Sequence, residues 1–363
     1  MKIMDNHFHA PARILTALFS GAILAAPAMA QPQGDPFAVS VQNLKAQDPM
    51  VRRQAADELG RMHRSEAVPA LLTAISDENP YVRSAVVDAL GTLRAPQAKE
   101  HFHRLLREDP HEQVRQQAAT SITYVGDASS IDALIAALDD KAEGVRYAVI
   151  RTIGNLGARK AGTRLVPFLK DPDSGMRRTT AGTLGKIATP ELLPALEEAL
   201  KDTDDAVRRE VVKAIGAIST PDAVQILASR LEDPDMFVRA QAVMGLARQR
   251  DSSGEKTAIE LIKHEDVTIR LMAANALSMA GSKEKGLPAL DAAAQSETQA
   301  NAKQQMGFAL ATFKARLGLK EEPKPEPKAA PKATPKASPS KPKKPVQPKK
   351  QAAPKKTAEP KKK

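Results

Sequence analysis

Apolar and polar positions along this chain follow two periods at once. Aligned on arginine, the positions Arg52, Arg83, Arg115, Arg146, Arg177, Arg208, Arg239 and Arg270 stand 31, 32, 31, 31, 31, 31 and 31 residues apart. The residue before each arginine is apolar: Val51, Val82, Val114, Val145, Met176, Val207, Val238 and Ile269. Four residues after it stands Ala, Val or Ile, and seven after it Leu or Ile. These offsets share one stripe of an α-helix, so each anchor predicts an amphipathic helix, called B. Glycine follows at the eighth position in five copies (Gly60, Gly91, Gly154, Gly185, Gly216) and is expected to allow close helix crossing and to end the helix.

A second helix, A, is predicted ahead of each anchor. Leu44, Ile75, Leu138, Leu169, Leu200, Leu231 and Ile262 stand eight residues before the arginine, and Leu106 is displaced by a one-residue insertion near Glu108. Segments such as EAVPALLTAI and PELLPALEEAL are apolar at i, i+3 and i+4. Pro69 and Pro194 fall early in them, where a first-turn proline is tolerated. No such helix pair buries its apolar face alone, whereas stacked pairs share one continuous core. The pattern therefore predicts an all-α fold, a right-handed α-solenoid (an α–α superhelix) of about nine two-helix repeats.

Aspartate stands six residues before the anchor in six of eight copies: Asp77, Asp109, Asp140, Asp171, Asp202 and Asp233. There it is expected to cap helix B by accepting from free N–H groups. A ladder across the seams is also expected, with Arg83, Arg115, Arg146, Arg177, Arg208 and Arg239 reaching the aspartates of adjacent repeats, among them Asp109, Asp140, Asp171, Asp202 and Asp233. Such a charge-assisted bond is worth about 1.5–3 kcal/mol. On this reading Arg146→Met or Asp171→Ala lowers the denaturation midpoint.

The string DP-x3-VR-x2-A-x3-LG, repeated in this way, resembles HEAT repeats in the short form similar to phycobilisome lyase HEAT-like repeats. The resemblance covers roughly residues 36–317. Departures fall at the ends: Asp48 is only four before Arg52, His264 replaces the aspartate before Arg270, and a ninth unit (285–317) lacks the arginine. They suit the atypical end repeats that solenoids need. The lyase resemblance implies handling of a bilin on a partner protein, for which no residue here speaks; the fold is carried over and the activity is not. Resemblance to deoxyhypusine hydroxylase implies several His-Glu pairs converging on two irons. This chain has two pairs, His111-Glu112 and His264-Glu265, read as turn and cap residues.

Composition separates the ends from this body. The chain carries no Cys and no Trp, only 3% aromatic residues, and a net charge of +11. These counts exclude disulfides, thiolate chemistry, a lipidated cysteine, and stacking-based recognition of single-stranded nucleic acid as a main activity. Residues 320–363 hold 15 Lys, 4 Glu and 11 Pro, so the positive balance belongs to them and residues 31–319 are close to neutral. This segment is expected to be disordered and to tether the chain to an anionic polymer or membrane surface. Residues 1–30 read as an export signal: Lys2 and Arg13, an apolar run Ile14–Ala26, then Ala28-Met29-Ala30 before the cleavage point. The apolar run is too short to span a bilayer.

Nucleotide-loop, zincin and serine-hydrolase strings are all missing from the sequence. Gly182, Gly185 and Lys186 lie within a B helix, and His101 and His103 point to different faces of an A helix. Asp171-x-Asp173 and Asp202-x-Asp204 lack the later ligands of a calcium loop. The remaining candidate is the concave face that B helices line in HEAT arrays. Its exposed offsets place Tyr124, Tyr147, Arg151, Arg178, Lys186, Arg209 and Lys213 as partner-binding residues suited to an acidic protein. The expectation is an exported, monomeric, non-enzymatic scaffold of the cell envelope, periplasmic or extracellular, with no cofactor or metal and an unknown protein partner. Two other classes stay open: tail-led binding of nucleic acid or another anionic polymer, and a HEAT-type enzyme.

Overall fold

A computed structural model describes residues 35–319, and the export-signal and basic-tail readings lie outside them. The described residues form eighteen α-helices and no strand. They pair in chain order as A and B helices. The first four pairs are α1 (Pro36–Asn43) with α2 (Pro49–Arg61), α3 (Val68–Ala74) with α4 (Pro80–Thr92), α5 (Lys99–Glu108) with α6 (Glu112–Val125), and α7 (Ser130–Ala136) with α8 (Glu143–Asn155). Then come α9 (Gly162–Leu165) with α10 (Ser174–Ile187), α11 (Leu193–Ala199) with α12 (Asp205–Ile215), and α13 (Pro221–Ala228) with α14 (Met236–Arg248). The last two pairs are α15 (Glu255–Leu261) with α16 (Val267–Ala280), and α17 (Gly286–Ser296) with α18 (Ala300–Arg316). Each B helix packs on the next B helix as well as on its own A helix, which is the stacking of an α-solenoid.

The predicted apolar stripe is the buried one. Val82, Val86, Val87 and Leu90 of α4 are all fully enclosed, and Val145, Val149, Ile150 and Ile153 repeat the pattern in α8. The A helices are short and several open or close in a 3₁₀ turn. That of the fifth repeat is the most broken: α9 has four residues, and a 3₁₀ stretch over Val166–Lys170 follows with Pro167 at its start. The glycine at the eighth offset serves packing more than termination, since α2, α4, α8 and α10 all run past it. A Cβ on Gly185 would meet the Ala214 Cα at 3.0 Å, and one on Gly216 the Gly245 Cα at 2.9 Å.

The buried apolar residues form two clusters where one continuous core was expected, and the two meet on α14. Val238, Ala242 and Leu246 belong to the first cluster; Ala240, Val243, Met244 and Ala247 belong to the second. Links between B and the next A helix repeat a left-handed residue that the sequence does not announce. His63, Arg94, Gly157 and Arg250, each eleven past an anchor, have φ of 51°, 51°, 62° and 61°.

Candidate functional site

The anchor arginine does two jobs at once. One terminal nitrogen of Arg83 donates to the main-chain oxygens of Asp77 and Glu78, at 2.8 and 3.1 Å, closing its own A–B turn. The Nε and the other terminal nitrogen donate to both carboxylate oxygens of Asp109 in the next repeat, at 2.8 and 2.9 Å. Arg115 with Asp140 and Arg177 with Asp202 repeat the fork, and Arg52 with Asp77 begins the series. Arg208 with Asp233 is looser, a single bond at 3.3 Å. The ninth repeat supplies Glu297 in place of aspartate, and Arg270 holds it at 2.7–2.9 Å. Sequence reasoning foresaw the carboxylates and missed the carbonyls, which carry no side-chain signature.

Two expected rungs do not form. Arg146 closes its own turn on the Asp140 and Lys141 carbonyls but makes no ion pair with Asp171. Asp171 ends the segment broken at Pro167, and the link between these repeats passes one position on, where the Tyr147 hydroxyl donates to Asp173. For Arg239 the register position of the rung carboxylate is held by His264, whose Nδ1 accepts from the Asp266 N–H at 3.0 Å. Its Nε is buried without a partner. In the ninth unit Lys303 takes the missing arginine's place at the turn, donating to the Gln295 and Glu297 oxygens at 3.1 and 3.4 Å.

The helix caps also differ from expectation. The N-cap of B lies four residues before the arginine, at Asp48, Asn79, Asp173, Asp204, Asp235 and Asp266, each accepting from N–H groups of the first turn. The aspartate at minus six instead accepts from the N–H two residues on, as Asp109 does from His111 at 2.9 Å. Asp48 is thus a cap in register with the others.

Several rung carboxylates are held below the ordinary carboxylate pKa. For Asp202 the main cause is the Arg177 hydrogen bonds, working against burial. For Asp77 and Asp140 burial is the largest single influence and acts upward, but the arginine and turn N–H bonds together outweigh it.

The seven exposed residues expected to bind a partner divide into two groups. Arg151, Arg178, Lys186 and Lys213 share one open groove across α8, α10, α12 and α14, with a volume of about 480 Å³. Arg248 joins them, a residue the offset reading passed over. Glu210 is the one acidic residue lining it, and it pairs with Lys213 at 3.3 Å. Tyr147 and Arg209 are instead tied into the array. Arg209 donates to Asp235, the cap of α14, at 2.5–2.9 Å, pairs with Asp205, and lies 4.7 Å over the Phe237 ring. Both side chains reach the cap aspartate of the next B helix, so the first offset is a second inter-repeat row. Tyr124 is exposed on α6, outside the groove.

Other candidate residues have local roles. His103 is buried with its Nε2 2.8 Å from the Ser130 hydroxyl, and His101 is half-buried beside Arg104. Asp173 and Asp204 are helix caps. Gly182 and Gly185 line the groove within α10.

The HEAT-repeat model matches residues 38–112, 100–181, 162–242 and 228–311, and the chain belongs to the HEAT-repeat family. Among curated proteins it is similar to the deoxyhypusine hydroxylase of Arabidopsis thaliana, 30% identical over 86 residues, 23% of this chain and 27% of that protein. The chain thus matches about a quarter of that relative's length. Among solved structures it is similar to an engineered protein at 19% identity, covering 77% of this chain and 89% of that one with a TM-score of 0.47. It is also similar to the complex of CpcE and CpcF of phycocyanin lyase from Nostoc sp. PCC7120, at 20% identity, 81% and 100% coverage and a TM-score of 0.40.

Proposed function

We propose that this chain is a non-enzymatic scaffold of the cell envelope whose exposed B-helix face binds an acidic protein partner. The observation that carries the reading is the groove: five cations from four consecutive B helices stand against one carboxylate. Clustered like charge on the exposed face of stacked helices suits recognition of the opposite charge. Export and envelope location rest on residues 1–30, and the lysine-rich residues 320–363 would hold the scaffold to an anionic surface. The absence of enzymatic activity is part of the proposal and rests on the missing catalytic strings in the sequence.

The test is capture. Residues 31–319 and 31–363 are immobilised separately and exposed to cross-linked envelope extract at low and high salt. A defined protein held by both, resistant to salt, is the expected result. Retention only by the longer chain, lost at high salt, would make the basic segment the binder of an anionic polymer and overturn the scaffold reading.

A further inference from the structure

Successive packed helices lie about 8–10 Å apart, and an extended chain advances about 3.3 Å per residue. One step of the array therefore matches three residues of an extended segment laid across the B helices. The groove offers positive charge at every step: Arg151 from α8, Arg178 and Lys186 from α10, Lys213 from α12 and Arg248 from α14. Lys186 is bonded to Asn155 at 2.8 Å and Lys213 to Glu210 at 3.3 Å. Arg151, Arg178 and Arg248 are exposed and form no ion pair among the described residues, so their forked donors are available to carboxylates.

The cationic stretch is bounded at both ends. In the first two repeats Asp57 and Asp88 hold the offset that Arg151 and Lys213 hold further on. Burial and the Asp57 charge together push the Asp88 carboxyl up, a sign that these acids crowd the same face. Beyond Arg248 the equivalent offsets in α16 pass to the half-buried Leu271, Met272 and Met279 and the uncharged Asn275. The same offsets hold no cation in α4 and α6 (Ser84, Asp88, Thr92; Gln116, Thr120, Tyr124) or in α16, which sets the four repeats apart from Arg53 and Arg61 of the first. Three steps span about 30 Å, or about ten residues of extended chain.

We propose that the groove on α8, α10, α12 and α14 binds an extended acidic segment of a partner protein, about ten residues long, with a carboxylate at every third position. This rests on the reading of the B-helix face as the partner-binding surface.

The experiment uses the full chain, so that the basic C-terminal segment is constant throughout. Binding of two labelled peptides of identical composition is followed by fluorescence anisotropy. One repeats Glu-Pro-Ser, which cannot become helical; the other has its glutamates in one block. The expected result is binding of the spaced peptide at least about tenfold tighter, with the preference abolished in the Arg178→Gln/Arg248→Gln double variant. Both arginines are exposed, and an unchanged circular dichroism melt verifies the fold; Arg151→Gln serves as the second variant. Equal binding of both peptides, unmoved by the variants, would place the interaction on the basic segment and overturn the proposal. Binding of neither peptide would also overturn it. Inorganic polyphosphate bound by the wild type, lost in the double variant and not displaced by the spaced peptide would assign the groove to phosphate polymers, again against the proposal. A protein captured equally by wild-type and double-variant arrays would leave the scaffold standing and remove only the groove's part in it.

Discussion

His264→Asp should complete the broken rung between the seventh and eighth repeats. Arg239 has its Nε buried with no partner, because His264 stands where other repeats place a carboxylate. In the forked rungs the arginine meets its aspartate at 2.6–2.9 Å through two nitrogens, as in Arg177 with Asp202. The substitution leaves the turn intact, since rung aspartates accept from the N–H two residues on, the contact His264 now makes. A charge-assisted bond contributes about 1.5–3 kcal/mol, and satisfying a buried donor removes a cost of about 1–3 kcal/mol that partly overlaps it. Bringing in a second buried charge works against both. A net gain of about 1–3 kcal/mol follows, or roughly 2–5 °C in midpoint for a folded body of this size. The assay is urea and thermal denaturation of wild type, His264→Asp, Arg239→Met and the double variant. The gain should vanish when Arg239 is methionine. An unchanged or lowered midpoint for His264→Asp, or the same gain without Arg239, would refute the pairing argument.

Other outcomes follow from the same geometry. Asp140→Ala should cost about 3 kcal/mol by leaving the Arg115 fork unpaired in a buried seam, whereas Asp171→Ala, which breaks no rung, should cost less than about 1 kcal/mol; paired urea titrations read the difference. Arg94→Gly should stabilise by about 1 kcal/mol, because the residue holds φ of 51° and its side chain is exposed; a lower midpoint would count against the strain. Asp202 titrates below its unfolded value because Arg177 holds it ionised, so its contribution is present above the unfolded carboxylate pKa of about 3.9 and is lost as pH falls through the lower folded value. The urea midpoint should therefore drop below about pH 4, and Arg177→Met should flatten that drop.

The solenoid was legible in the sequence because stacking imposes the same demand on every repeat. The arginine period, the apolar offsets and the leucine eight residues ahead are each set by local helical geometry and one invariant neighbour relation, so they recur and can be counted. Lys303 and Glu297 escaped that count, since they perform the arginine and aspartate roles with other side chains. Arg151, Arg178, Lys186 and Lys213, read from their helical offsets, stand together in one groove.

What the sequence determined by itself was therefore the repeat, its helices and the residue types at the seams. Only the tertiary structure decided which rungs close, that Tyr147 and Arg209 bind cap aspartates, that Arg248 joins the groove, and that the core divides at α14. The physical reason is range. A periodic pattern reports what each residue does within its own helix, whereas a hydrogen bond across a seam depends on how two helices sit to within a few tenths of an ångström. A proline in one A segment or a histidine in one turn is enough to redirect that bond without disturbing the period that announced it.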